Sequence, residues 1–137
     1  MATGSRIIAA ILLIAVPTVE FGGLSLLAML TRRMPGYLDN PLRHNMFRAG
    51  HAHAGVWIVF ALVALLWVDQ IDLGDLWKWI IRVAFAAAPI LMPLGFFLSV
   101  TRPDAERPNG LITLVYLGGL SLALGAVTLG IGLLAAG

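Results

Sequence analysis

The stretch Ile7-Ile-Ala-Ala-Ile-Leu-Leu-Ile-Ala-Val-Pro-Thr-Val-Glu20-Phe-Gly-Gly-Leu-Ser-Leu-Leu-Ala-Met-Leu-Thr31 decides the fold, because Glu20 is its only charged residue. A helix rises about 1.5 Å per residue and the hydrocarbon core is about 30 Å thick, so about 20 apolar residues cross it. Polarity does not alternate along the run, which predicts a helix rather than a strand of a membrane barrel. The run is about twice the length of a secretory h-region and no polar cleavage region follows it, so it reads as a membrane anchor.

Outward from this run the same pattern recurs. Ala49 to Val68, Val83 to Thr101 and Pro108 to Gly137 also lack Asp, Glu, Lys and Arg. The expected architecture is all-α: one polytopic membrane domain over residues 1–137, a four-transmembrane-helix bundle with helices at roughly 7–31, 48–68, 78–101 and 110–135. Composition agrees, since 60% of residues are hydrophobic and 12% charged, against about half and a quarter in soluble domains. With no cysteine, disulfides and thiolate metal sites are excluded. The net charge of +2 comes from cations scattered through the connections, which are topology signals rather than a nucleic-acid footprint.

Those cations predict an orientation. Arg32, Arg33, Arg43, Arg48, Arg102 and Arg107 flank the first and third connections, against Arg6, Lys78 and Arg82 at the other end. Retention of positive charge in the cytoplasm places both termini outside a bacterial inner membrane. Trp67, Trp77 and Trp79 crowd the outer interface as anchors, and the acidic residues Asp69, Asp72 and Asp75 beside them read as solvated. The first connection, with its Pro-Gly and Asn-Pro turn signals, reads as ordered against the bundle or in contact with lipid headgroups.

Helix four carries a stripe of small residues, Gly118, Ser121, Gly125, Thr128, Gly132 and Ala135, at alternating steps of three and four. Such a stripe lets a second helix approach closely. It serves either packing of helix one on helix four, where Ala15, Thr18, Gly22 and Ser25 form a shorter version, or a homodimer seam through helix four. Pro89 and Pro93 in helix three each remove an amide donor and predict a kink.

Glu20 is the most informative residue. An ionised carboxylate in hydrocarbon costs several kcal/mol, so such a group faces the bundle interior, finds a partner or stays protonated. Phe47-Arg-Ala-Gly-His51-Ala-His53-Ala-Gly55 holds two of the three histidines. His51 and His53 lie about 200° apart around a helix and cannot chelate one metal from it. Counting from the helix ends at about 1.5 Å per residue puts Glu20, His53, Met92 and Tyr116 at one depth. Glutamate and histidine there suit a proton or small-ligand site, with Tyr116 beside them. The set Glu20, His51, His53 and Met92 would suit zinc or copper, and one axial histidine would suit haem.

The FRAGHAHAG tract at 47–55, together with Pro93-Leu-Gly-Phe-Phe-Leu-Ser99 and Pro108-Asn-Gly-Leu-Ile112, resembles a family of small bacterial four-helix integral membrane proteins. The resemblance covers most of the chain and implies the fold without an activity. The His51 and His53 tract is also faintly similar, over a few residues, to the haem-ligand helix of haem-copper oxidases. Those subunits have many more helices and further histidines, so an oxidase reaction is not implied. The plan of the chain is similar to that of small multidrug transporters, although the longer first connection, the paired histidines and the tandem prolines depart from it.

Taken together, the residues favour a membrane bundle that binds a proton, metal ion or small ligand for transport or sensing. The alternatives are a noncatalytic assembly partner in a larger membrane complex and a haem-binding electron-transfer accessory protein. No nucleophile and base pairing, nucleotide loop or established metal motif argues for an enzyme.

Overall fold

The computed structural model describes residues 1–136. Four helices account for most of them: α1 (Thr3–Thr31), α2 (Pro41–Trp67), α3 (Asp75–Leu98) and α4 (Thr113–Ala135), the last entered through a single 3-10 turn, Gly110–Ile112. There is no strand among the described residues. Each helix is long and apolar enough to cross a membrane, as the charge-free runs predict.

Local chemistry sets the ends. At the close of α1 the chain turns through Arg33, whose φ of 48° is left-handed, while Met34 N donates back to Met29 O at 3.0 Å. Pro35 then prevents continuation. α2 begins at Pro41, well before the expected 48. Asn40 Oδ1 accepts from Arg43 N at 3.1 Å and Pro41 occupies the first turn, where its missing N–H costs nothing. Asn-Pro is therefore a helix cap, and His44 belongs to α2 rather than to the connection. Pro89 and Pro93 both lie inside α3, which continues to Leu98.

The two connections at the end remote from the termini are knitted together. Arg43 donates through Nε to Val100 O at 2.9 Å and through its guanidinium to the carbonyl of Gly36. Asn40 Nδ2 donates to Pro103 O and Ala105 O, each at 3.0 Å. The first connection is thus ordered against the third by hydrogen bonds to backbone carbonyls of both connections.

α3 is the central helix, with α2 on one side and α4 on the other. The small-residue stripe of α4 packs on α3 and, at Gly132, on Ile71 and Leu73 of the second connection, not on α1, which does not reach α4 among the described residues. A Cβ on Gly118 would lie 2.5 Å from Met92 Cγ, and one on Gly125 would lie 3.1 Å from Ala84 Cβ. Ser121 Oγ donates to Ala84 O at 2.9 Å along the same seam. The expected pairing of helices one and four gives way because α3 supplies the matching surface: Gly95 sits so close to α4 that a Cβ there would be 2.7 Å from Val115 N. Within the stripe considered for a homodimer, Gly118, Gly125 and Gly132 are buried against the rest of the chain and Ala135 is exposed.

The apolar core lies toward the end that carries the termini and includes Leu12, Ile58, Leu65, Val68, Ile81, Phe85 and Leu129. At this end a polar clamp ties down the start of α1. Asp69 accepts from Ala2 N at 2.5 Å, from Ser5 Oγ at 2.7 Å and from Arg82 Nη2 at 2.7 Å. Arg82 Nε also donates to Ser5 Oγ at 2.8 Å, and its guanidinium lies 5.4 Å from the Trp79 ring centroid. Asp69 is therefore not merely solvated, as its neighbours Asp72 and Asp75 are, and Arg82 is a buried structural cation. Burial pushes the Asp69 carboxyl up, but the hydrogen bonds from Arg82, Ser5 and Ala2 and the Arg82 charge outweigh it and hold the group below its ordinary range.

Candidate functional site

Beyond the clamp and Leu12, α1 is thinly packed. In its most apolar stretch only 6% of residues are buried, against 50% for α3. The second half of α1 stands off from α2 and leaves an open groove of about 660 Å³ between them, bordered by Val19, Glu20, Gly23 and Leu24 on α1 and by His51 and Gly55 on α2. A groove of that size falls within the range of small-molecule sites, about 300–1,000 Å³.

Glu20 and His51 are the polar side chains of this groove. Glu20 is exposed and His51 partly buried, and neither side chain has a hydrogen-bond partner among the described residues. His51 is held by shape. Its ring lies against the glycine pair of α1, so that a Cβ on Gly23 would sit 3.0 Å from both Cε1 and Nε2. The same ring borders a second cleft of about 320 Å³ reaching to Pro89 and Pro93 of α3. Gly22 and Gly23 thus serve as the floor on which the imidazole rests, a role not apparent from the membership of Gly22 in a small-residue stripe.

His53 takes a different place. Its Nδ1 is 2.7 Å from Ala49 O, and since a carbonyl only accepts, Nδ1 is the donor. The ring packs on Phe96 of α3 with centroids 4.8 Å apart and lies 6.1 Å from Trp57. The next contacts in this aromatic row are Trp57 with Phe60 and Phe60 with Phe85. The 200° offset between the two histidines therefore sends one toward α1 and the other toward α3.

The structure brings together Glu20 and His51 and leaves the other expected site residues apart. Met92 is buried beneath Gly118 at the seam between α3 and α4. Tyr116 is 70% exposed on α4. Among the described residues, no group of three or more His, Asp or Glu side chains is placed to hold a metal ion. The residues expected to bind zinc or copper are divided because Glu20 and His51 border the groove while His53 and Met92 lie in packed seams around α3. Depth counting pairs Glu20 with His53, but the angle around α2 turns His53 toward Phe96 and makes His51 the imidazole that borders the groove of Glu20.

No family model, curated protein or solved structure matches this chain.

Proposed function

We propose that this chain is a bacterial inner-membrane bundle, with both termini outside, that binds a proton or small ligand in the groove between α1 and α2 for transport or sensing. The observation that carries the reading is the pairing of Glu20 with His51 at one groove, midway along apolar helices, neither with a hydrogen-bond partner among the described residues. A polar group at such depth is costly unless it is matched. Here the match is a bound proton or ligand rather than another side chain. Six arginines against three cations support the orientation.

The test is modification by dicyclohexylcarbodiimide, an apolar reagent that attacks protonated carboxyls within membranes. In purified protein reconstituted in lipid, mass spectrometry of peptides is expected to find Glu20 modified ahead of Asp69, Asp72 and Glu106, with a rate that falls as pH rises. Glu20 left unreacted, or modified no faster than the other acidic residues, would remove the site.

A further inference from the structure

We infer that the half of α1 beyond Pro17 is a hinged arm, which pivots at that proline and widens or narrows the groove beside Glu20 and His51. This goes beyond the reading of the groove as a binding site, because it concerns how one wall of the groove moves.

The chain is fixed on both sides of the arm. On one side, Asp69 holds Ala2 N and Ser5 Oγ, and Leu12, 3% exposed, sits in the apolar core. On the other, Gly36 is buried with its carbonyl on the Arg43 guanidinium, and Tyr37 is buried with its ring 4.9 Å from that of His44. Between these anchors no residue from Leu13 to Pro35 is buried. The hydroxyls of Thr18, Ser25 and Thr31 donate to carbonyls of α1 itself, so no side-chain hydrogen bond ties this stretch to another helix among the described residues. Few buried contacts, with hydrogen bonds confined to one element, mark the parts of a fold that move most easily.

The weak point of the rod falls where fixed and free portions meet. Pro17 lies inside α1 and is exposed; it offers no N–H to the carbonyl of Leu13 and its ring crowds that carbonyl, so the helix is less stiff there. α3 shows what packing adds. Pro89 and Pro93 remove the same bonds but are buried in the helix that α2 and α4 flank, where neighbours on two sides hold it. Pro17 has no such cover. Beyond it, Gly22 and Gly23 present no side chain to interlock with the His51 ring.

Space exists on both flanks of the arm. Val19 and His51 border the groove of about 660 Å³ on the α2 side and also the cleft of about 320 Å³ that reaches Pro89 and Pro93 on the α3 side. Movement toward one side narrows it and widens the other. A change of about 20° at Pro17 carries Leu27, about 15 Å further along, through about 5 Å. The link at 32–35 is exposed throughout and supplies the slack.

The test uses pairs of nitroxide labels, and since the chain has no cysteine, introduced ones are the only sites of labelling. Leu27→Cys with Leu117→Cys reads the arm, whose Leu27 is itself a wall of the groove, against α4. Ile7→Cys with Ile131→Cys reads the fixed half of α1 at the other end; all four positions are exposed. Pulsed electron double resonance on the full chain in phosphatidylcholine nanodiscs is expected to give a distance distribution about 5 Å wider for the arm pair than for the fixed pair. Pro17→Ala, which restores the N–H, should narrow the arm pair to the width of the other, and thermal melting checks that each variant is folded. Equal widths in the parent would overturn the hinge, as would an arm distribution left unchanged by Pro17→Ala. These distances read the arm and not what the groove holds, so the hinge can fail while Glu20 still reacts first with the carbodiimide, and the binding reading can fail while the hinge stands.

Discussion

The seam between α3 and α4 and the groove between α1 and α2 begin from the same sequence feature, glycines on a helix face, and end in opposite ways. At the seam, Gly95, Gly118 and Gly125 are covered by Val115, Met92 and Phe85, and little space is left. At the groove, Gly22 and Gly23 meet one imidazole, and an opening continues beside it. Small residues permit close approach, but the facing surface decides whether the space is filled by packing or kept. α3 offers alanines, prolines and a methionine along its length, whereas α2 offers a histidine and a glycine one turn apart. The tighter contact holds the bundle together, and the looser one leaves a place for something else.

Substitutions that fill or charge these places should separate the two regions. The largest effect is expected at the seam and the clamp. Gly95→Ala would put a Cβ 2.7 Å from Val115 N, and because backbone cannot rotate away, α3 and α4 must part. Thermal unfolding in detergent should show a loss of about 3 kcal/mol, while Gly119→Ala, with nothing within 4 Å, should change stability by less than about 0.5 kcal/mol. A Gly95→Ala protein as stable as its parent would show that the seam is not closed.

Asp69→Asn should cost about the same, about 3 kcal/mol, because it leaves the Arg82 guanidinium, 6% exposed, without its counter-charge. The clamp also predicts a pH response. A carboxyl whose folded pKa is depressed contributes stability that is complete above its unfolded value, about 3.9, and is lost as pH falls through the lower folded value. Melting temperature should therefore decline below about pH 4 in the parent and do so less steeply in Asp69→Asn. Identical acid profiles would place the acid sensitivity elsewhere.

At the groove, Gly23→Ala is expected to cost less than about 1 kcal/mol, because the crowded neighbour is the edge of a side chain and can tilt into open space. Its clearer sign should be a changed rate of Glu20 modification by the carbodiimide. Glu20→Gln should have the smallest effect on stability, within about 0.5 kcal/mol, because the side chain is exposed and has no hydrogen-bond partner among the described residues. A large loss of stability in Glu20→Gln would make this residue a structural member of the bundle and erase the contrast with the seam.

The two regions also differ in how much of them could be read beforehand. Helix four's stripe was recognisable at Gly118, Gly125 and Gly132, but its partner was not, since periodicity specifies a face and says nothing of which helix meets it. Glu20 was recognisable because a carboxyl inside an apolar run is costly wherever it points. His51 and His53 were ambiguous: they differ by 200° around α2, and only the direction of α1 resolves which ring meets Gly23. Arg82 was read as a topology charge because its partners, Ser5 and Asp69, are distant in sequence. Asn40-Pro41 carried a helix-cap signal that was instead read as a turn, which hid the first two turns of α2.

The chain alone therefore determined its four apolar helices and the one carboxyl that interrupts the first, because a bilayer imposes length and polarity on each segment separately. Only the tertiary structure decided that α3 lies at the centre, that Asp69 and Arg82 lock the start of α1, and that His51 rather than His53 borders the groove of Glu20. Those outcomes depend on the relative rotation and spacing of helices, which are set by side-chain contacts between segments far apart in the sequence.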